Sequence, residues 1–340
     1  METIRLNLGE RTYDINVGRG LLSEAGKYFN LNRRTLVLTD DGVPAEYAST
    51  IARCCAEAKI VTVRSGEGAK SLEIFGEVLS TMADFGMTRT DCCVAVGGGV
   101  IGDLCGFCAA SYMRGIDFYN VPTTVLSQVD SSIGGKVAIN FSGVKNLVGA
   151  FYQPKGVIID PDVLKTLPAR QISNGLCEAV KMAATSDEEL FHIFENQKIT
   201  LENIDKVIVR ALKIKKFVVE NDERESGLRK ILNFGHTFGH GVEASSADGE
   251  LYHGESVAVG MTVACSEAVK ARLVPVLRSL NLPVCYDGDL EAALDLISHD
   301  KKCDGAAVSV VFVEKIGEAK ILKLPVAEFC DRVRAEINRV

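Results

Sequence analysis

Val94-Ala-Val96 runs directly into Gly97-Gly-Gly-Val-Ile-Gly-Asp103. The apolar residues read as the end of a buried strand, and Gly97, Gly99 and Gly102 satisfy the G-x-G-x-x-G spacing of a dinucleotide-binding turn. Glycines there let the chain leave a strand sharply and bring backbone N–H groups and a helix N-terminus against a pyrophosphate. A glycine-rich structural turn satisfies the same spacing. The motif also follows several earlier elements instead of opening the first βα unit, and no acidic residue stands about 20 positions on for the ribose hydroxyls. Glu67, in Ser65-Gly-Glu-Gly-Ala-Lys70, is the candidate for that task from another loop.

Outward from this turn, the first half alternates short β-rich runs with amphipathic segments, the rhythm of a parallel sheet wrapped by helices. Residues 4–17 read as a hairpin turning near Gly9-Glu10, and 35–39, 59–63, 91–96 and 117–121 as buried strands. Helical spacing covers 44–56 and 71–85. Beyond Pro161 the β signal fades: 187–219 and 256–280 carry helical periodicity, and only 307–314 and 319–324 look strand-like. The expected fold is α/β, with an N-terminal Rossmann-like parallel-sheet domain over 1–160 and a mostly α-helical domain over 161–340. No internal repeat or low-complexity segment interrupts it.

With 340 residues, 47% of them hydrophobic, the chain can bury a large core. A formal net charge of −7 argues against nucleic acid as partner, so any anionic ligand must meet a local cluster of Lys and Arg. No apolar run reaches the ~18 residues of a membrane span. Met1-Glu-Thr-Ile-Arg5 enters an alternating strand pattern without a signal-peptide apolar region, so the 11 cysteines are expected to be reduced thiols of a cytoplasmic protein. Cys105-Gly-Phe-Cys108 is a lone CxxC without a second pair, which fits small core residues.

Chemistry concentrates in the second half. Glu178 lies in Gly175-Leu-Cys-Glu-Ala-Val-Lys181, His236 in Leu232-Asn-Phe-Gly-His-Thr-Phe-Gly-His240, and His253 in Leu251-Tyr-His-Gly-Glu255. One Glu and two His would leave a position of a tetrahedral ion open, as in a catalytic metal site. His236 and His240 are four apart, as in HExxH sites, but the Glu of that pattern is absent; ordinary packed imidazoles satisfy the same residues. Gln128-Val-Asp-Ser-Ser-Ile-Gly-Gly-Lys136 and Lys145-Asn146 place lysines and small residues at what read as loop positions. Lys181 falls one helical turn from Glu178, and Lys215 and Arg229 add charge read as belonging to the second domain. Together they describe an anion pocket beside a metal.

These segments, with Val121-Pro-Thr-Thr124, Leu164-Lys-Thr-Leu-Pro168, Asp222-Glu223 and Gly227-Leu-Arg229, resemble the 3-dehydroquinate synthase family, in order, over roughly residues 60–305. The resemblance implies NAD, zinc or cobalt, a cytoplasmic homodimer, and a small sugar-acid phosphate as substrate. It implies Glu178, His236 and His253 as metal ligands and His240 as the acid/base. Cofactor contacts would come from Glu67, Lys70, Gly98, Gly99, Val100, Ile101, Gly102, Asp103, Thr123, Thr124, Lys136, Lys145, Val163, Leu164, Lys165 and Thr166. Substrate contacts would come from Asp130, Lys136, Asn146, Lys181, Lys215, Arg229 and Asn233, with Arg114 of Tyr112-Met-Arg-Gly115 reaching a neighbouring subunit's phosphate.

Two departures bear on loop geometry. Val144 stands where the family usually has glycine, and a β-branched residue tolerates positive φ poorly. Val137 replaces a common threonine after Gly134-Gly-Lys136. The implied reaction converts a seven-carbon keto-acid phosphate to 3-dehydroquinate with release of phosphate, by transient oxidation, elimination, re-reduction and aldol closure. Another sugar phosphate cyclase, or an NAD- and metal-dependent polyol dehydrogenase, shares the domain plan. A neutral polyol has no use for the Lys and Arg cluster, and a nucleotide-binding module without catalysis has none for an open metal position.

Overall fold

The computed structural model describes residues 1–246, 250–298, 303–304 and 307–339. The chain forms two compact units, Met1–Pro168 with Leu201–Lys216, and Ala169–Thr200 with Phe217–Val340. The first unit therefore reaches Pro168 rather than Asp160, and it takes back a later segment that includes Lys215.

In the first unit, β1 (Glu2–Leu6) and β2 (Tyr13–Val17) form the expected hairpin, and β3 (Arg34–Asp40), α1 (Ala45–Arg53), β4 (Glu57–Val63), α2 (Leu72–Asp84) and β5 (Cys92–Gly97) follow. Then come α3 (Gly99–Ser111), β6 (Asp117–Pro122), β7 (Lys136–Phe141), β8 (Val144–Phe151) and β9 (Gly156–Ile159). The seven-stranded sheet has the order β1-β2-β9-β6-β5-β3-β4, parallel except for β1 against β2. Every residue of β5 is buried, which is why its sequence is continuously apolar rather than alternating. Core residues such as Leu36, Leu38, Ile101, Leu104 and Phe118 pack on one face, and Val37, Ile51, Val94 and Val121 on the other.

The β7–β8 hairpin corrects the loop reading of Lys136 and Lys145, since both stand on strands. Ser142 and Gly143 join them at φ 50° and 75°, the two left-handed residues of a tight hairpin turn. Val144 is ordinary extended chain, so the concern about its side chain does not arise; the next left-handed residue is Asn146, at φ 52°. Val137 is buried in the core beside Gly106, where a Cβ would fall 2.4 Å from its Cγ1.

The second unit contains α4 (Ala169–Ser186), α5 (Glu188–Asn196), α7 (His236–Ser245), α8 (His253–Val263), α9 (Glu267–Ser279) and α10 (Leu290–Ser298). A three-stranded antiparallel sheet of β10 (Cys303–Asp304), β11 (Ala307–Lys315) and β12 (Glu318–Pro325) and a last helix α11 (Val326–Glu336) complete it. The remaining helix, α6 (Ile204–Asn221), begins in the first unit and ends in the second. The 187–219 stretch is thus two helices rather than one. The 256–280 stretch likewise divides, because Ser266 caps α9 by accepting the Val269 N–H.

Candidate active site

Three helices of the second unit bring the metal candidates together. α4 carries Glu178 and Lys181 on adjacent turns; α7 opens at His236 and presents His240 one turn later; α8 opens at His253. Their approach depends on missing side chains. A Cβ on Gly260 would lie 1.9 Å from the Gly235 carbonyl oxygen, and one on Gly254 would lie 2.1 Å from the Asn174 carbonyl oxygen. The Gly254 N–H donates to Asn174 Oδ1 at 2.6 Å, which ties the start of α8 to the turn of α4 just before Glu178.

Glu255 fixes the same end of α8. Its carboxylate accepts the Tyr252 N–H at 2.8 Å, closing a capping box, and receives Arg170 Nε and Nη2 at 2.7 Å each. Arg170 also lies 4.2 Å over the Tyr252 ring.

Glu178 is 1% exposed, and its two oxygens have different duties. Oε2 accepts the Lys181 ammonium. Oε1 is buried with no hydrogen-bond partner, 3.5 Å from His253 Nε2 and 3.8 Å from His236 Nε2. Both imidazoles are held from behind: His236 Nδ1 donates to the Phe234 carbonyl at 3.1 Å, and His253 Nδ1 to Glu243 Oε2 at 2.9 Å. An Nδ1 facing an oxygen acceptor carries a proton, so each ring, once neutral, presents its Nε2 lone pair to the space beside Oε1. All three ligand atoms lie within 4.8 Å of one another. An orphaned carboxylate oxygen and two oriented imidazole nitrogens fit a divalent cation such as zinc or cobalt, with one position left over.

Electrostatics agree. Burial works against the charge of Glu178, but Lys181 and His253 outweigh it and hold the carboxyl well below its ordinary range. Burial also opposes charge on His253, yet Glu178 and Glu243 raise its pKa to about 9. The acidic partners that favour a proton on His253 would equally favour a cation at Nε2, which binds as that proton leaves. His240 stands at its edge, its ring 5.2 Å from His236 and 5.9 Å from His253 between centroids.

Nearby in the second unit, Asp222 accepts the N–H groups of Ser226, Gly227 and Arg229 at 2.8, 2.7 and 2.9 Å. Burial would raise its pKa, but these donors hold it below the ordinary carboxylate range. That nest shapes the segment presenting Arg229, which is 3% exposed and donates to the Glu223 carbonyl. Asn233 Nδ2 donates to Glu225 Oε1 at 2.6 Å.

The first unit holds the cofactor candidates. α3 starts at Gly99, directly after β5. A Cβ on Gly98 would meet Thr124 Cγ2 at 3.1 Å, and one on Gly99 would meet Ser131 Oγ at 2.9 Å, so Thr124 and Ser131 wall a cradle only glycine leaves open. The Thr123 N–H donates to the Gly97 carbonyl at 2.9 Å and ties β6 to the turn. Gly102 and Val100 are half-buried, whereas Ile101 is fully buried in the core and can offer a ligand only its backbone.

Lys70, 3% exposed, donates to Asp103 Oδ2 at 2.6 Å and to Asn146 Oδ1. Burial raises the Asp103 pKa to about 6 even with Lys70 beside it. Val163 and Leu164 are buried; Tyr47 Oη reaches the Val163 carbonyl and Thr166 Oγ1, while the exposed Lys165 pairs with Asp162 at 2.7 Å.

The expected charge cluster needs correction at Lys215. It belongs to the first unit and its ammonium is engaged by the Asp130 carboxylate and, at 2.7 Å, the Asp130 carbonyl. Lys136 and Lys145 are exposed on the hairpin. Arg114 is exposed on a bend where it and Met113 both take positive φ, at 69° and 48°.

Glu243, Asn174 and Arg170 escaped sequence reasoning. Glu243 looks like any charge on a helix face, ten residues from the histidine it orients. Glu255 was visible by position, three residues after Tyr252, the spacing of a capping box.

Residues 60–174 match the family description "3-dehydroquinate synthase N-terminal" and residues 175–303 "3-dehydroquinate synthase C-terminal". The chain belongs to the 3-dehydroquinate synthase family. Relatives of that name from Enterococcus faecalis V583 and Latilactobacillus sakei are 41% and 39% identical, covering 99% and 98% of this chain and 98% of each relative. Among solved structures, 2-epi-5-epi-valiolone synthase from Streptomyces hygroscopicus, with NAD+ and Zn2+ bound, is 28% identical with a TM-score of 0.86 over 97% of this chain and 98% of that one. A probable glycerol dehydrogenase from Sinorhizobium meliloti shares the fold alone, at 18% identity and a TM-score of 0.62 over 94% of this chain and 95% of that one.

Proposed function

We propose that the chain catalyses the reaction its family is named for, converting 3-deoxy-D-arabino-heptulosonate 7-phosphate to 3-dehydroquinate and phosphate, with NAD and one zinc or cobalt ion. The observation that carries this reading is the buried, unpartnered Oε1 of Glu178 facing two imidazole nitrogens whose other nitrogens are locked. When bound, NAD and the metal would supply reversible oxidation of a substrate carbinol and polarisation of its oxygen. The residues do the rest.

Lys181 engages Oε2 of Glu178 and so directs Oε1 to the ion. Phe234 and Glu243 keep His236 and His253 in the ligating tautomer. His240, whose ring lies beside those of His236 and His253, would move a proton at the substrate hydroxyl. Lys136, Arg229, Asn146 and Asn233 are the groups for the carboxylate and phosphate, and Asp130 holds Lys215 in place for its substrate contact. Lys145, Thr123 and Thr124 complete the cofactor side. Arg114 is read as serving the phosphate of a second copy in a homodimer, and the free cysteines among the described residues suit a reducing, cytoplasmic setting.

The test is phosphate release from the seven-carbon acid phosphate with NAD present far below substrate. Many turnovers per NAD are expected, and slow release from glucose 6-phosphate. NADH accumulating in step with product would make the chain a dehydrogenase; faster release from glucose 6-phosphate would make it a sister cyclase.

A further inference from the structure

Asn140 lies at the irregularity of the β7–β8 ladder, where register passes from Ile139↔Val148 to Phe141↔Val144 and leaves Asn140 without a partner strand residue. Its polar groups go elsewhere. The Asn140 N–H donates to the Lys70 carbonyl at 2.7 Å, Nδ2 donates to Glu67 Oε1 at 2.9 Å, and Oδ1 accepts the Asn146 N–H at 2.8 Å. Asn146, left-handed at φ 52°, receives Lys70 Nζ on its own side-chain oxygen. Glu67, Asn140, Asn146 and Lys70 thus close a ring of hydrogen bonds.

We infer that Asn140 is a positioning residue that sets Glu67 for the cofactor and Asn146 for the substrate, and joins the two. The inference rests on the cofactor and substrate roles proposed above for Glu67, Lys70 and Asn146. Its content is new: a residue that touches neither ligand determines both contacts, because one amide donates to one partner and accepts from the other. A ladder bulge serves this end by freeing a backbone N–H and a side chain from strand pairing. Only an amide suits the position. A carboxylate would keep the bond from Asn146 but oppose Glu67 with like charge.

The chemistry gives a swap experiment, read by calorimetric titration of NAD into the metal-loaded protein. Asn140→Asp should weaken NAD by about ten- to a hundredfold while its thermal midpoint stays near wild type, since a bond to a charged group is lost at an otherwise intact site. Adding Glu67→Gln restores a donor opposite the new carboxylate. The double variant should bind NAD within about twofold of Glu67→Gln alone. A merely structural Asn140 would show no such rescue. Wild-type affinity in Asn140→Asp, or a double variant clearly weaker than Glu67→Gln alone, overturns the inference. Absence of NAD binding by the unaltered protein instead overturns the cofactor reading beneath it.

Discussion

At the scale of single residues, the metal centre is a matter of which atom is left without a partner. Glu178 could have spent both oxygens on Lys181; instead Oε2 alone takes the ammonium and Oε1 waits among imidazole nitrogens. His253 would be free to rotate or to protonate on either nitrogen were Glu243 not holding Nδ1. Removing such an outer partner costs about 10–100-fold in metal affinity. Glu243→Ala should therefore lower bound metal after dialysis against weak chelator, and His253→Ala should abolish both metal and turnover. His240→Ala should keep the metal and lose activity. Metal content is the measurement; full occupancy in His253→Ala, or clear loss in His240→Ala, would reverse the assigned roles.

At the scale of elements, the site exists because α8 can press against α7 and α4. Gly260 meets the Gly235 carbonyl where any side chain would overlap backbone, and backbone cannot swing aside as a side-chain tip does. Gly260→Ala should destabilise the protein by about 1–3 kcal/mol and release metal by parting His236 from His253. Gly76 in α2 has open space around its missing Cβ, so Gly76→Ala should stabilise by about 0.5–1 kcal/mol. Denaturant unfolding of both variants checks the contrast, which a similar sign for the two would refute. The same physics decides what the sequence reveals. β3, β5 and β6 are buried on both faces and read as apolar runs, and the three metal candidates stand in recognisable settings. β7 and β8 do not read as strands because β8 is almost wholly exposed and carries Lys145, Asn146 and Gly149, none of which has strong strand preference. The capture of Lys215 by Asp130 was equally hidden, since an ion pair 85 residues apart leaves no local pattern.

At the scale of the whole molecule, 45 acidic residues against 38 basic ones surround ligands that are themselves anionic. A chain at −7 offers a phosphate- and carboxylate-bearing substrate no long-range attraction, so recognition must fall to short-range groups. Arg229 is buried and anchored at the Glu223 carbonyl, and Lys181 is 1% exposed, so both act at contact distance and are little screened. Lys215 contributes less net charge than its sequence position promised, because Asp130 neutralises it. Between about 0.01 M and about 0.15 M sodium chloride the Debye length contracts from ~30 to ~8 Å, enough to erase steering but not contact. The value of kcat/KM for the seven-carbon acid phosphate should accordingly stay level or rise slightly over that range. A steep fall would mean that an attractive field guides the substrate, and the exposed Lys136 and Lys145 on the β7–β8 hairpin would then be its source. In that event Lys145→Ala should remove the salt dependence, whereas under the short-range account it should leave the salt profile flat and weaken only cofactor binding.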